Sequence, residues 1–282
     1  MAFPQDIIGN DIRSVAYVVL DSLRWDSFER ATKAIIDRRQ LIVEKCYSYA
    51  SWTQPSHSCI LSGLFPHQST PNQLASTIYK KNFNFWNKVL GERESGVAAF
   101  LPEFVLALMA KRNGWNTYGR VAMPVLNPST AFSRGFDDYE LSIPGSSLVA
   151  QIESLSLSLN PGKNFVFINA GETHYPYLMP KHQLPNLSGI NGILNKLSDS
   201  DEENDGIPFS KSELKDLHYS QIKGFEKAQL QLEALIDLLE KPLLLIVTSD
   251  HGELFGEDNY FGHGPFFHPL LFEVPLAMGV IK

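Results

Sequence analysis

With 282 residues and 44% hydrophobic content, the chain can bury one sizeable core but is too short for several large domains, so a single domain over residues 1–282 is expected. A formal net charge of -7 without a basic stripe argues against a nucleic-acid surface; an anionic substrate then needs local positive charge, which a bound divalent cation supplies more strongly than a side chain. Two cysteines, Cys46 and Cys59, fall short of a disulfide framework and are read as buried thiols. Residues 1–13 lack the layout of a secretory signal, and no apolar run approaches the ~20 residues of a membrane span, so a cytoplasmic location is expected.

Val15 to Leu20 is the first of several short, nearly continuous apolar runs bounded by polar turns, the pattern of strands buried on both faces of a parallel sheet, and it runs into Asp21. Next comes Ser51-Trp52-Thr53-Gln54-Pro55-Ser56-His57-Ser58, followed by the apolar Cys59-Ile60-Leu61; Thr53 suits a helix N-cap and Pro55 a first turn. A hydroxyl there meets backbone N–H groups and the positive end of the helix dipole, which favours a phosphate-like anion and a developing alkoxide. Thr53 is therefore the candidate nucleophile, with Ser56 as its rival. Helical spacing covers Val97 to Arg112 and stops at Asn113-Gly114. A weaker strand at Asn116 to Val121 and a helix at Ser147 to Leu159 follow, then a clear strand at Asn164 to Ile168 that leads to Glu172 and His174. Residues 186–209 are polar, with an acidic run from Asp199 to Asp205, and read as a solvated loop or a lid. From Ser210 to Leu239 apolar positions recur at three and four residues, with Ser210-Lys211-Ser212-Glu213 as a capped start and Gly224 as a potential interruption. Leu243 to Val247 is the third strong strand and leads to Asp250-His251, and Val274 to Val280 is a weaker one. Such alternation predicts an α/β fold with a mostly parallel central sheet flanked by helices on both faces.

Each of the three strongest strands ends at a potential metal ligand: Asp21, Glu172 with His174, and Asp250-His251. In open α/β sheets ligands bind outside the carboxyl ends of the strands, so these groups are expected to converge. Clustered carboxylates repel one another, and a divalent ion is the ordinary way to hold them beside neutral imidazoles; mixed oxygen and nitrogen donors suit zinc or manganese. Gly262-His263-Gly264 can present an imidazole close to a ligand. His67, His182, His218 and His268 lack such context and are assigned to surface or core.

These residues resemble the alkaline phosphatase and sulfatase superfamily. Asp21-Ser22-Leu23-Arg24-Trp25-Asp26 is similar to its opening metal motif, Thr53-Gln54-Pro55-Ser56 sits where sulfatases carry Cys-x-Pro-Ser, and Asp250-His251-Gly252 with Gly262-His263-Gly264 resembles its closing motifs. Gly171 to Tyr177 is similar to the acidic-x-His-x-Pro-aromatic segment, and Arg134-Gly135-Phe136-Asp137 to the usual Arg-Gly-Phe-Asp stretch. The likeness spans roughly Val15 to Val280. It implies an alkaline phosphatase-like fold with a shortened C-terminal portion and one or two divalent ions, the first held by Asp21, Thr53, Asp250 and His251. Glu172, His174 and His263 would hold a second ion or touch the phosphate directly, and His57 replaces the sulfatase arginine near the substrate. Threonine at position 53 cannot give the aldehyde that sulfatases need, so the resemblance implies a hydrolase of small phosphate mono- or diesters, or of phosphonate esters, working through a phosphothreonine. A phospho-head-group transferase, a sulfatase-like enzyme and an inactive metal-binding homologue are the alternatives.

Overall fold

A computed structural model describes residues 12–62, 106–142, 147–177, 187, 191–192 (backbone only) and 207–282. In chain order these form β1 (Ser14–Leu20), α1 (Trp25–Arg30), α2 (Ala34–Arg38), β2 (Ile42–Tyr47), α3 (Thr53–Ser62), α4 (Leu106–Arg112), β3 (Asn116–Val121), β4 (Asp138–Leu141), α5 (Leu148–Ser158), β5 (Asn164–Ala170) and β6 (Asn191–Gly192). There follow α6 (Lys211–Leu238), β7 (Leu243–Thr248), β8 (Leu254–Phe255), β9 (Tyr260–Gly262) and β10 (Glu273–Ile281). Residues 97–105 of the expected helix, His67, His182 and most of the polar segment 186–209 lie outside the described residues.

The main sheet runs β2-β10-β7-β1-β5-β3-β4. Strands β7, β1, β5, β3 and β4 are mutually parallel, while β10 is antiparallel to both β7 and β2, so the strand expected at Val274 to Val280 exists but points the other way. The near-continuous apolar runs follow from burial on both faces. Ala16, Val18 and Leu20 of β1 and Val166, Ile168 and Ala170 of β5 share one cluster with Phe28, Ile35, Ile152, Leu155 and the inner face of α6. On the opposite face Val19, Phe165 and Phe167 pack with Ile60 and Leu61 of α3, Ala107 of α4, Leu126 and Phe132. A second sheet, β6-β9-β8, stands beside an aromatic cluster of Tyr177, Phe209, Phe255 and Phe261. Among the described residues no helix is long and apolar enough to cross a membrane.

The long helix α6 begins as expected: Ser210 accepts from the Glu213 N–H and the Glu213 carboxylate accepts from the Ser210 N–H. Gly224 does not interrupt it. Its role is proximity, because a Cβ at this position would stand 2.2 Å from the Glu172 carbonyl oxygen. One turn earlier, the buried Gln221 donates from Nε2 to the carbonyls of Ser22 and Thr173. Helix α6 is thus seated directly beneath the turns that follow β1 and β5. Gly224→Ala should gain up to ~1 kcal/mol of helix propensity, yet overpacking against backbone costs about 1–3 kcal/mol. Net destabilisation in urea unfolding is the expected outcome.

Candidate metal centre

Because β7, β1 and β5 are adjacent and parallel, the residues after their C-terminal ends meet at one sheet edge. Asp21 follows β1 and is fully buried; its N–H donates to the Ala170 carbonyl, and its own carbonyl accepts from Thr173 Oγ1 at 2.7 Å. The next residue, Ser22, has φ +65°, a conformation costly for a non-glycine residue. It is held there by two bonds into the site: its N–H donates to Asp250 Oδ1 at 3.1 Å and its hydroxyl to Asp21 Oδ1 at 3.1 Å. Asp250 Oδ1 also accepts from the His251 N–H at 3.0 Å. Its other oxygen, Oδ2, is buried without a hydrogen-bond partner and lies 3.3 Å from His251 Nε2.

The histidines follow one rule. A carbonyl or carboxylate oxygen accepts only from an N–H, so the near atom of each ring must be Nδ1–H. His57 Nδ1 donates to the Thr53 carbonyl, His174 Nδ1 to the Tyr175 carbonyl, His251 Nδ1 to the Gly252 carbonyl and His263 Nδ1 to Glu253 Oε1, at 2.7–2.8 Å. Nδ1 is thereby spent on each ring, while the Nε2 of His57 meets Asn169 Nδ2. The rings of His251 and His263 lie 4.3 Å apart between centroids, and those of His174 and His263 5.2 Å apart. His251 Nε2 faces Thr53 Oγ1 at 3.3 Å, Asp250 Oδ2 at 3.3 Å and Asp21 Oδ1 at 3.7 Å.

Burial would raise the Asp21 carboxyl, but the surrounding imidazoles of His174, His251, His57 and His263 bring it down to about 2. Asp250 moves well above the ordinary carboxylate range, through burial and the adjacent negative charge of Asp21. Burial holds His57 and His251 below the usual imidazole value. His263 ends above it, since pairing with Glu253 outweighs its own burial.

Thr53 is the first helical residue of α3 rather than its cap, since the Ser56 N–H bonds back to the Trp52 carbonyl. The rival nucleophile Ser56 is committed elsewhere: its hydroxyl donates to the Asp250 carbonyl at 2.6 Å, fastening α3 to the loop after β7. Glu172 is directed away from the cluster, while His57 stays beside it, its Nδ1 3.5 Å from Asp250 Oδ2. Glu172 turns toward α5, where Oε1 accepts from the Leu148 N–H at 2.5 Å at the positive end of that helix; burial raises its carboxyl. His57, expected on the substrate, is fully buried, and its second nitrogen lies 3.3 Å from Asn169 Nδ2.

Asn169, Ser22, Gln221 and Glu253 were not singled out by sequence reasoning, although a polar residue inside a strand buried on both faces was a signal. Glu253 is buried and also accepts from the Tyr177 hydroxyl at 3.0 Å, so the carboxylate that orients His263 is itself held. His268 accepts from the Leu270 N–H and closes a short turn. His218 stacks on Phe255 at 4.6 Å and lies 2.9 Å from Ser27 Oγ. Burial and the cations Arg24 and Arg30 lower its pKa from 6.5 to about 4, against the opposing pull of Asp26 and Glu257. A base depressed on folding contributes stability that is complete above pH 6.5 and is lost as pH falls toward 4. His218→Phe should therefore lose less stability than the unaltered chain between these limits, by up to about 2–3 kcal/mol in urea titrations.

No protein-family model and no curated protein matches the chain. Solved structures do. The C-terminal periplasmic domain of EcEptC from Escherichia coli, in complex with zinc, superposes with a TM-score of 0.61 at 15% identity over 97% of this chain and 74% of that one. The chain shares the alkaline phosphatase-like fold of that structure. The soluble domain of lipooligosaccharide phosphoethanolamine transferase A from Neisseria meningitidis gives TM-score 0.59 and 14% identity over 97% and 78%. Phosphonate monoester hydrolase of Agrobacterium radiobacter gives 0.61 and 14% over 94% and 68%, and a 2-O GAG sulfatase also matches.

On this alkaline phosphatase-like frame the donor set suits a cation. Ligand atoms of Asp21, Asp250 and His251 lie within 4.8 Å of one another, all three residues are buried, and Thr53 Oγ1 lies 3.3 Å from His251 Nε2. The unpartnered Asp250 Oδ2 points the same way, because a buried carboxylate oxygen without a donor is costly unless a positive charge completes it. One imidazole nitrogen with three oxygens is a donor set that zinc or manganese accepts.

Proposed function

We propose that the chain is a metal-dependent phosphoryl-transfer enzyme in which Thr53 is the nucleophile, acting on a small phosphate or phosphonate ester. The observation that carries this reading is the Thr53 hydroxyl 3.3 Å from His251 Nε2, beside the unpartnered oxygen of Asp250. Asp21, Thr53, Asp250 and His251 would hold a divalent ion, zinc or manganese. When bound, that ion would supply the positive charge that favours an ionised Thr53 and offsets charge gathering on phosphorus.

The remaining work falls to the chain itself. Thr53 gives up its hydroxyl proton to solvent and Oγ1 bonds to phosphorus as the ester oxygen leaves with its electron pair and takes up a proton, giving a phosphothreonine; water or an acceptor alcohol then bonds to phosphorus, losing a proton, as the Oγ1–phosphorus bond breaks and Thr53 regains its hydroxyl. At the start of α3 the amides of Thr53 and Gln54 have no preceding helical carbonyl to serve, so they and the helix dipole favour the anion. His263, whose ring lies 4.3 Å from that of His251, and His174, 5.2 Å from His263, would steady the non-bridging oxygens.

Hydrolysis and transfer to an acceptor are equally supported, the second by likeness to a phosphoethanolamine transferase domain. A sulfuric ester reading is disfavoured because Thr53 cannot be converted to the aldehyde. Metal analysis of the purified protein, followed by assays on nitrophenyl phosphate, its diester, a phosphonate ester and nitrophenyl sulfate with and without an added alcohol, tests the proposal. Turnover of a phosphorus ester is expected. Turnover of the sulfate alone, or of none by zinc- or manganese-loaded protein, would reject it.

A further inference from the structure

Asn169 lies next to last in β5, paired with Val19 of β1 and Val121 of β3, and is fully buried. Its orientation is dictated by its partners. Oδ1 accepts from the N–H groups of Ala122 and Met123, each at 3.2 Å, so the amide nitrogen must face the other way. There Nδ2 donates to Asp21 Oδ2 at 2.9 Å and to His57 Nε2 at 3.3 Å. His57 spends its Nδ1–H on the Thr53 carbonyl at 2.8 Å, which leaves Nε2 bare and able to accept from Asn169. A continuous path of hydrogen bonds therefore runs from the backbone of Thr53 through the His57 ring and the Asn169 amide to the carboxylate of Asp21. Of the groups available, only a neutral imidazole with its proton on Nδ1 and a carboxamide with two N–H donors complete it.

We infer that Asn169 and His57 act as a positioning pair that fixes the Thr53 hydroxyl against the first carboxylate of the metal centre. By holding Asp21 Oδ2, Asn169 leaves Oδ1 as the oxygen turned toward His251. By bracing the carbonyl of Thr53, His57 fixes the first turn of α3 on the same frame. Neither touches the reacting atoms; both act through the residues that do. The inference rests on the metal reading above.

A double-variant cycle read by zinc titration calorimetry tests it. His57→Phe keeps the ring edge packed on Phe167, 5.8 Å between centroids, without either nitrogen, and Asn169→Leu keeps the volume without the amide. Each single variant should bind zinc about 10- to 100-fold more weakly. On any ester that the unaltered protein turns over, kcat should fall while KM stays within about threefold. The double variant should be little worse than the weaker single, because either change already breaks the shared path. His57→Gln, whose amide oxygen can still accept from Asn169, should recover part of the affinity that His57→Phe loses. Losses that multiply in the double variant, or zinc affinity unchanged in His57→Phe, would overturn the pairing. Should the bulky apolar variants fail to fold, His57→Asn and Asn169→Ser complete the same cycle under the same criterion. Failure of the unaltered chain to take up either zinc or manganese would sink the metal reading and this inference with it, whereas uptake with multiplied losses sinks the inference alone.

Discussion

Thr53→Ala is expected to lower turnover by about three orders of magnitude or more while leaving most of the bound metal in place. Removing a nucleophile removes the covalent route itself, and residual rate then comes only from charge stabilisation and binding. Asp21, Asp250 and His251 remain, their donor atoms within 4.8 Å of one another, so the cation keeps three of its four protein donors. Thr53→Ser should retain activity to within about tenfold, because the hydroxyl and the helix start are both preserved. Elemental analysis and kcat measured on the same preparations check the pair. An alanine variant above about a tenth of normal turnover would remove Thr53 from the chemistry.

Asp250→Asn should move metal binding and stability in opposite directions. The retained carbonyl oxygen can still accept from the Ser22 and His251 N–H groups, while the new amide nitrogen stands where Oδ2 was buried without a partner. There it can donate toward His251 Nε2, 3.3 Å from the original oxygen. Giving the buried, unpartnered Oδ2 position a donor to His251 should raise metal-free stability by about 1–3 kcal/mol, or several degrees of melting temperature. The amide cannot replace the carboxylate at the cation. Apparent zinc free energies of about 10–16 kcal/mol over four donors average roughly 2.5–4 kcal/mol each, and an anionic carboxylate contributes more than a neutral hydroxyl such as that of Thr53, so affinity should drop on the order of 10²- to 10³-fold. Melting curves with and without zinc distinguish the outcomes: the variant should melt higher than the unaltered chain without metal and gain little when zinc is added. A lower metal-free melting point would show that Oδ2 has a partner in solution.

The strands that carry the site were legible because they are central. β1 and β5 are covered on both sides, and β7 is buried on one face and half-buried on the other, so hydrophobic pressure writes them as uninterrupted apolar runs, and the groups just beyond them stand out. The edge strand β2 was not legible: Ile42-Val43-Glu44-Lys45-Cys46-Tyr47 is largely exposed and shows neither a run nor clean alternation. Helices α1 and α2, of six and five residues, are too short to display a period. At the site, Asp21, Asp250, His251 and Thr53 could be anticipated from strand ends and a helix start, because backbone topology alone brings them together. Glu172 and His57 could not be placed in this way, since what decides them is the direction of a side chain. Between Gly171 and His174 successive side chains leave in different directions, Glu172 toward α5 and Thr173 toward Asp21. His57 is drawn back to the carbonyl four residues earlier in its own helix.

The carboxylates of Asp21 and Asp250 hang from neighbouring strands whose separation, about 4.8 Å, is set by backbone hydrogen bonding. Both residues stand just past the strand ends, so the backbone spacing of the sheet sets how far apart the two carboxylates start, and only their side-chain torsions remain to adjust the gap between them.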